Sequence, residues 1–397
     1  MDILRLEARL AAIAMLIYGA WNAVNDPIAG FISDSTKTRW GRRIPYIFLG
    51  SIPFGLAYFL LWAPPFTSAD MTALFWYFLL FICLFDTLYT IVVINWASLY
   101  PEMYPTLKER AQVNSYRQTF GMIGLIIGIA LPPLIFSAIG WAKMGAIFGA
   151  IIAIAYFVAL AGSRENLKYS KDKPLPLMKA ISATFRNIPF IIFVSSNLLI
   201  QYAFTMVLAI IPFYAKYVLN AGPRDTSLIL LSAFVIAMPM MFIWRALVVR
   251  FGAKACYMAA ILIFIVMLIP FLLIDNIVAA IISSGLLGAG LSGIILLSDV
   301  LISDVIDHDA KMTHVRREGM YFGVNAFICR FAIALEAASI GLVFTMTRYN
   351  PIIFMQTKSF LLGLRVLVAG LPIVALAIAF GIMMYYPLSR TKEDTPQ

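Results

Sequence analysis

Residues 21–45 read WNAVNDPIAGFISDSTKTRWGRRIP, and this stretch decides the fold. Its first half is apolar sequence that carries Asn22, Asn25 and Asp26 in its middle. Its second half breaks into a short basic loop, and apolar sequence resumes at Tyr46. Two apolar runs joined by a tight charged loop read as a pair of membrane-crossing helices. Asp26 then lies within a span, where a carboxylate costs roughly 2.5–3.5 kcal/mol even on insertion scales. A membrane chain that retains such a group uses it, and an acid set among amides points to binding of a cation or proton.

Composition agrees along the whole length. Of 397 residues, 62% are hydrophobic and 13% charged, against about 25% charged in soluble proteins. Apolar runs recur at 8–31, 46–64, 72–99, 114–136, 145–162, 189–213, 227–249, 256–274, 277–303, 321–345 and 366–387. The fold class is therefore all-α, a polytopic membrane protein with about eleven spans. The net charge of +10 does not point to nucleic acid, because the basic residues sit in short loops. One alternating set of loops carries Arg39, Arg42, Arg43, Lys108, Arg110, the lysines around 168–179, Arg250, Lys254, Arg316 and Arg317; the opposite set is much poorer. The positive-inside bias makes the rich set cytoplasmic, with the C-terminus inside a cell (plasma) membrane and the N-terminus outside. Cys83, Cys256 and Cys329 all fall in apolar spans without metal-ligand spacing and read as packing residues. Asp2, Arg5, Glu7 and Arg9 precede a full-length span, unlike a cleavable signal.

An internal echo sets the organisation. Arg39-Trp40-Gly41-Arg42-Arg43 is matched loosely by Arg250-Phe251-Gly252-Ala253-Lys254, as in transporters built from related halves. In the second half two spans separate the central loop from the echo; in the first half only one span precedes the turn. Symmetry thus predicts a two-bundle plan of twelve spans whose first is missing before Leu4. The N-terminal helical bundle covers 1–170, a cytoplasmic linker 171–188 and the C-terminal bundle 189–397. Within the linker, Leu177, Ile181 and Phe185 recur at helical spacing and predict a short helix. It lies either on the anionic inner leaflet or in a solvated connection.

Few side chains are suited to chemistry. On a helix, Tyr18, Asn22, Asn25, Asp26 and Gly30 share one face. The stripe is expected to face a water-filled cavity, a helix–helix hydrogen-bond cluster being the alternative. Its oxygens suit a small hard cation, and a single carboxylate equally suits a proton. Asp86 and Thr90 stand one turn apart and face the same cavity, with Tyr89 beside them. Arg117 and Arg330 lie inside or at the ends of apolar spans. Each needs a carboxylate or an anionic ligand, with Asp26, Asp86, Asp299 and Glu336 as possible partners. His308 and His314 read as residues of a charged loop. Nothing resembles a nucleophile–base pair, a nucleotide-binding loop or a zinc site, so the chain reads as no enzyme, with no cofactor and no metal.

Three stretches carry a family resemblance. Asn25-Asp26-Pro27, then Gly30, Asp34 and residues 39–43, resemble the signature of the glycoside–pentoside–hexuronide:cation symporters, a melibiose permease-like branch of the major facilitator superfamily. Pro101-Glu102, Glu109-Arg110 and Tyr116-Arg117 resemble that family's fourth-to-fifth helix connection. Asp304-Val305-Ile306-Asp307, Lys311 and Arg316-Arg317-Glu318-Gly319 resemble its tenth-to-eleventh. The resemblance implies alternating access and cation-coupled symport of a sugar or related glycoside or uronate, with H+ or Na+ as coupling ion. It places Met1 near the family's second helix and the cation site on Asn22, Asn25, Asp26 and Thr90. In the melibiose permease the position of Asn22 is an aspartate, so its loss leaves Asp26 as the proton site. The galactoside-binding carboxylate and tryptophan fall on Val93 and Ala97, which argues against a galactoside bound in the known manner. Tyr18, Asp86, Tyr89, Arg117 and Arg330 are assigned to the substrate cavity. Asp34, Arg39, Gly41, Arg42, Arg43, Asp304, Asp307, Arg316 and Arg317 are assigned to a cytoplasmic gate. The partners are then a small solute and the bilayer, and the chain works as a monomer. A lysolipid or other amphiphile carrier, and a non-transporting sensor or scaffold, are the other readings.

Overall fold

The computed structural model describes residues 8–66, 70–165, 177–313, 315–349 and 356–388. Helices dominate: α1 (Ala8–Ser35), α2 (Ile44–Trp62), α3 (Met71–Met103), α4 (Leu107–Ile139), α5 (Trp141–Gly162), the short α6 (Leu177–Arg186), α7 (Ile188–Tyr217), α8 (Pro223–Phe251), α9 (Ala253–Leu268), α10 (Ile277–Thr313) and α11 (Glu318–Met346). The last rod runs from α12 (Lys358–Arg365) through a π-helical turn (Val366–Gly370) into α13 (Leu371–Met384). Among the described residues nine helices are long and apolar enough to cross a membrane. Outside that set, α1 and α4 are of similar length.

Each apolar run read from the sequence falls on one of these rods, and the short linker helix is α6. Several rods outrun their apolar runs. Backbone hydrogen bonding does not stop at the hydrocarbon edge, so α1 continues to Ser35, α3 to Met103 and α10 to Thr313. These extensions carry Asp34, Glu102 and Asp304 to Asp309.

The chain forms two compact units, and neither is a simple half. One comprises residues 1–105, 123–184 and 306–327; the other comprises 106–122, 185–305 and 328–397. In the first, α2 packs on α5 and α3, and α3 packs on α1. Gly55 and Gly149 let α2 and α5 touch backbone to backbone: a Cβ on Gly149 would stand 2.4 Å from the Gly55 carbonyl oxygen. Gly145 and Gly149 form a small-xxx-small stripe, which supplies close packing where apolar burial gives no net drive. In the second, α7 packs on α13 and α8, and α13 on α9. Lys254 Nζ donates to the carbonyls of Met384 and Tyr386 and ties off the end of α13.

The echoed turns share a geometry. Gly41 and Gly252 both have positive φ, 105° and 85°, which L side chains rarely adopt. Each sits at the junction between two consecutive rods, α1–α2 and α8–α9.

Candidate functional site

The polar stripe of α1 meets α3. Asp86 is the centre of a donor cluster: Tyr18 Oη (3.5 Å), Asn22 Nδ2 and Asn25 Nδ2 (3.1 Å) all donate to its carboxylate. Asn25 Nδ2 also donates to Thr90 Oγ1 at 3.1 Å, and Thr90 in turn donates to Asp26 Oδ1 at 2.8 Å. A continuous hydrogen-bonded path therefore runs from Asp86 through Asn25 and Thr90 to Asp26. The helical period explains the convergence. Tyr18, Asn22, Asn25 and Asp26 lie at i, i+4, i+7 and i+8, and Asp86 and Thr90 at i and i+4. Trp21 Nε1 donates to Thr87 Oγ1 at 3.0 Å and fixes the register of the two helices.

Burial corrects one expectation. The stripe was expected to face a water-filled cavity, but Asp26 is 2% exposed and Asp86 4%, and Asn25 and Thr90 are buried as well. Each lies against the facing helix, which supplies its hydrogen bonds; only Tyr18 and Asn22 keep partial exposure. The first part of α11 seals Asp26 from another side. A Cβ on Gly323 would stand 2.6 Å from the Asp26 carbonyl oxygen, and one on Gly30 2.1 Å from the Gly319 carbonyl oxygen. Pro27, inside α1, donates no backbone hydrogen.

The basic turn builds a second buried assembly in the same unit. Arg42 Nη2 pairs with Glu102 (2.6 Å) and Glu318 (3.3 Å), and Arg43 Nη2 with Asp34 (2.8 Å) and Glu318 (2.7 Å). Arg316 joins through Glu318 (2.5 Å) and Asp307 (3.0 Å), and Arg317 pairs with Asp309 at 2.6 Å. Asp34 also accepts from the backbone N–H groups of Gly319 and Met320 at the start of α11, where a helix N-terminus favours an anion. Burial pushes the Asp34 carboxyl above its ordinary value, against the pull of Arg43. Burial opposes charge on Arg43, yet Asp34, Glu318 and Glu102 outweigh it and hold the guanidinium protonated. Glu165 accepts from the backbone N–H groups of Arg42 (2.6 Å), Arg43 (3.0 Å) and Ile44 (3.4 Å), and so caps α2.

The structure thus brings together most residues assigned to the gate, with two exceptions. Arg39 is exposed over the Trp40 ring, and Asp304 pairs with Arg110 at 3.0 Å in the other unit. Sequence reasoning passed over Glu102, Glu165, Glu318 and Asp309 as members. The signal was present for Glu102 and Glu318, which stand in the stretches that carry the family resemblance.

The residues assigned to a substrate cavity are drawn from both units. Tyr18 and Asp86 belong to the α1–α3 cluster. Tyr89 is exposed, its ring 5.9 Å from that of Phe54. In the second unit Arg117 pairs with Asp299, which also accepts from Gln118 Nε2 at 2.9 Å. Arg330 is half-buried on α11. His308 lies on α10, and His314 falls outside the described residues, as do Lys168, Lys171 and Lys173 of the linker.

Apolar rods in two units, with carboxylates along them and paired arginines at their ends, are the build of a multi-pass membrane protein. A family model described as MFS/sugar transport protein matches residues 1–390, and the chain belongs to that family. It is 26% identical to the sodium-dependent lysophosphatidylcholine symporter 1-A of Danio rerio, over 99% of this chain and 81% of the relative. It is 24% identical to the isoprimeverose transporter of Lactiplantibacillus pentosus, over 98% of this chain and 83% of the relative. The major facilitator transporter FucP, solved in its outward conformation, superposes with a TM-score of 0.69 at 12% identity, covering 98% of this chain and 92% of the other. The major facilitator fold expected from the sequence is the fold observed.

Proposed function

We propose that this protein is a cation-coupled symporter of the glycoside–pentoside–hexuronide:cation kind. It carries a sugar or related glycoside or uronate inward by alternating access, in the plasma membrane with its C-terminus inside. One observation carries the reading: Asp26 is buried on α1 against α3 and held by the Thr90 hydroxyl, in a cluster of oxygen-bearing side chains. Charge uptake at Asp26 removes the cost of a bare carboxylate at that depth. Coupling follows if cation and solute together favour one conformation. One positive charge moving inward across 100 mV releases about 2.3 kcal/mol, enough for roughly fifty-fold accumulation. The arginine–carboxylate assembly around Arg42 and Arg43 is the cytoplasmic gate, which must come apart for release.

Two relatives are named as transporters of very different solutes, and the lysophosphatidylcholine symporter keeps a lysolipid carrier as a second reading. Proteoliposomes containing the full chain separate them. Labelled pentose disaccharide, hexuronate and lysophosphatidylcholine are offered under imposed Na+ or pH gradients. Sugar or uronate accumulation supports the first reading, and lysolipid accumulation alone replaces it. Asp26→Asn is expected to abolish gradient-driven accumulation while leaving solute exchange intact. Unchanged accumulation in that variant would refute the role given to Asp26.

A further inference from the structure

We infer that Asp86 is the second carboxylate of the coupling site, and that the pair formed by Asp26 on α1 and Asp86 on α3 binds Na+. The inference rests on the cation-coupled reading above and gives its site a composition and an ion. Three features support it. First, Asp86 is as deeply placed as Asp26, and its described contacts are neutral donors: Tyr18, Asn22 and Asn25. Neutral donors soften the cost of an ionised group within a span but do not cancel its charge. Second, the two carboxylates belong to one hydrogen-bonded chain through Asn25 and Thr90, a cluster whose acid, amide and hydroxyl groups carry the kind of oxygen that hard cations take. Third, the charge is modest. Among the described residues no three acids, histidines or cysteines gather as a divalent or transition-metal site would. Two carboxylates with one monovalent ion leave a single negative charge, which the donors of Tyr18, Asn22, Asn25 and Thr90 can hold.

The cluster also shows why Asn22 is no defect. Its amide donates directly to Asp86 Oδ1, so an acid at position 22 and an acid at position 86 would place charge at nearly the same point. Carrying both would set a third carboxylate against the other two. The chain has one of them, on α3.

The test is binding of radioactive 22Na+ to the purified full chain in nanodiscs, which needs no knowledge of the solute. Wild type is expected to bind saturably, and Asp86→Asn to bind about 100-fold more weakly, since affinity follows ligand charge. The double variant Asn22→Asp/Asp86→Asn moves the acid back to α1 and is expected to recover affinity to within about 10-fold of wild type. A role for Asp86 in packing alone predicts no such rescue. If Asp26→Asn loses binding while Asp86→Asn binds like wild type, this inference falls and the cation-coupled reading stands. If wild type shows no saturable Na+ binding, the inference falls and proton coupling takes its place. If Asp26→Asn binds like wild type, the cation site proposed above falls with it. Should Asp86→Asn fail to give a monodisperse protein, the double variant decides: recovery supports the inference, and a folded double variant without binding overturns it.

Discussion

Thr90, with Asn25, links Asp26 and Asp86 in one hydrogen-bonded chain. Its hydroxyl accepts from Asn25 and donates to Asp26, so both of its hydrogen-bonding roles are in use. Thr90→Ala removes a donor to a charged group, a contact worth about 1.5–3 kcal/mol. Cation affinity in that variant is expected to fall by roughly 10- to 100-fold, while Thr90→Ser, which keeps the hydroxyl, stays near wild type; ion binding at equilibrium measures both. At this scale the sequence was partly legible. The spacing of Tyr18, Asn22, Asn25 and Asp26 identified one face of α1, and the spacing of Asp86 and Thr90 one face of α3. That these faces meet, and that Asp86 draws the amides of Asn22 and Asn25, follows from how the helices are rotated against one another. Periodicity within a single helix carries no information on that rotation.

At the scale of elements, the start of α2 depends on a backbone conformation and an anion together. Gly41 adopts φ 105°, and a Cβ there would stand 2.3 Å from Glu165 Oε2. Gly41→Ala is therefore both strained and in collision with the cap of α2, and is expected to cost at least about 1–3 kcal/mol, visible as a lower unfolding temperature of the detergent-solubilised protein. Glu165→Gln keeps the shape but removes the charge facing three backbone N–H groups. It is expected to lower stability by about 1 kcal/mol on the same assay. The tight turn itself was readable from the Arg-Trp-Gly-Arg-Arg pattern and its echo. Glu165 was not, because it comes from beyond the end of α5, and no local rule ties it to a turn more than a hundred positions earlier. Helix ends were misjudged for a different reason. Hydropathy finds where a helix leaves the apolar layer, whereas α1, α3 and α10 persist beyond it into charged sequence.

For the molecule as a whole, loop charge and buried charge act separately. The excess of basic residues in one set of loops predicts that a reporter fused after Gln397 is protected inside intact cells; surface labelling of such a fusion would contradict the assigned topology. The arginine–carboxylate assembly sets how firmly one unit is held together. Removing one member of a buried pair typically costs about 3–5 kcal/mol, because the partner is left charged and unsolvated. Arg43→Ala, which takes the guanidinium from Asp34 and leaves Glu318 to Arg42 and Arg316, is expected to reach that range in thermal unfolding, well above the effect of Arg39→Ala at an exposed site. The all-helical plan and the membrane class were legible from composition and run length. The exchange of segments between the two compact units was not, since it arises from which parts of α4, α10 and α11 touch which neighbours.

The sealing of Arg43, Glu102 and Glu318, with side chains at 0% exposure, bears on how this protein meets changing electrolyte. Raising salt from about 0.01 M to 1 M shortens the Debye length from about 30 Å to about 3 Å. Such screening weakens a pair like Arg365–Asp275, whose aspartate is 77% exposed, but mobile ions have no path to Arg43. A cell in dilute water and one in brine would therefore find this knot of charge equally tight, and only a movement of the helices themselves could loosen it.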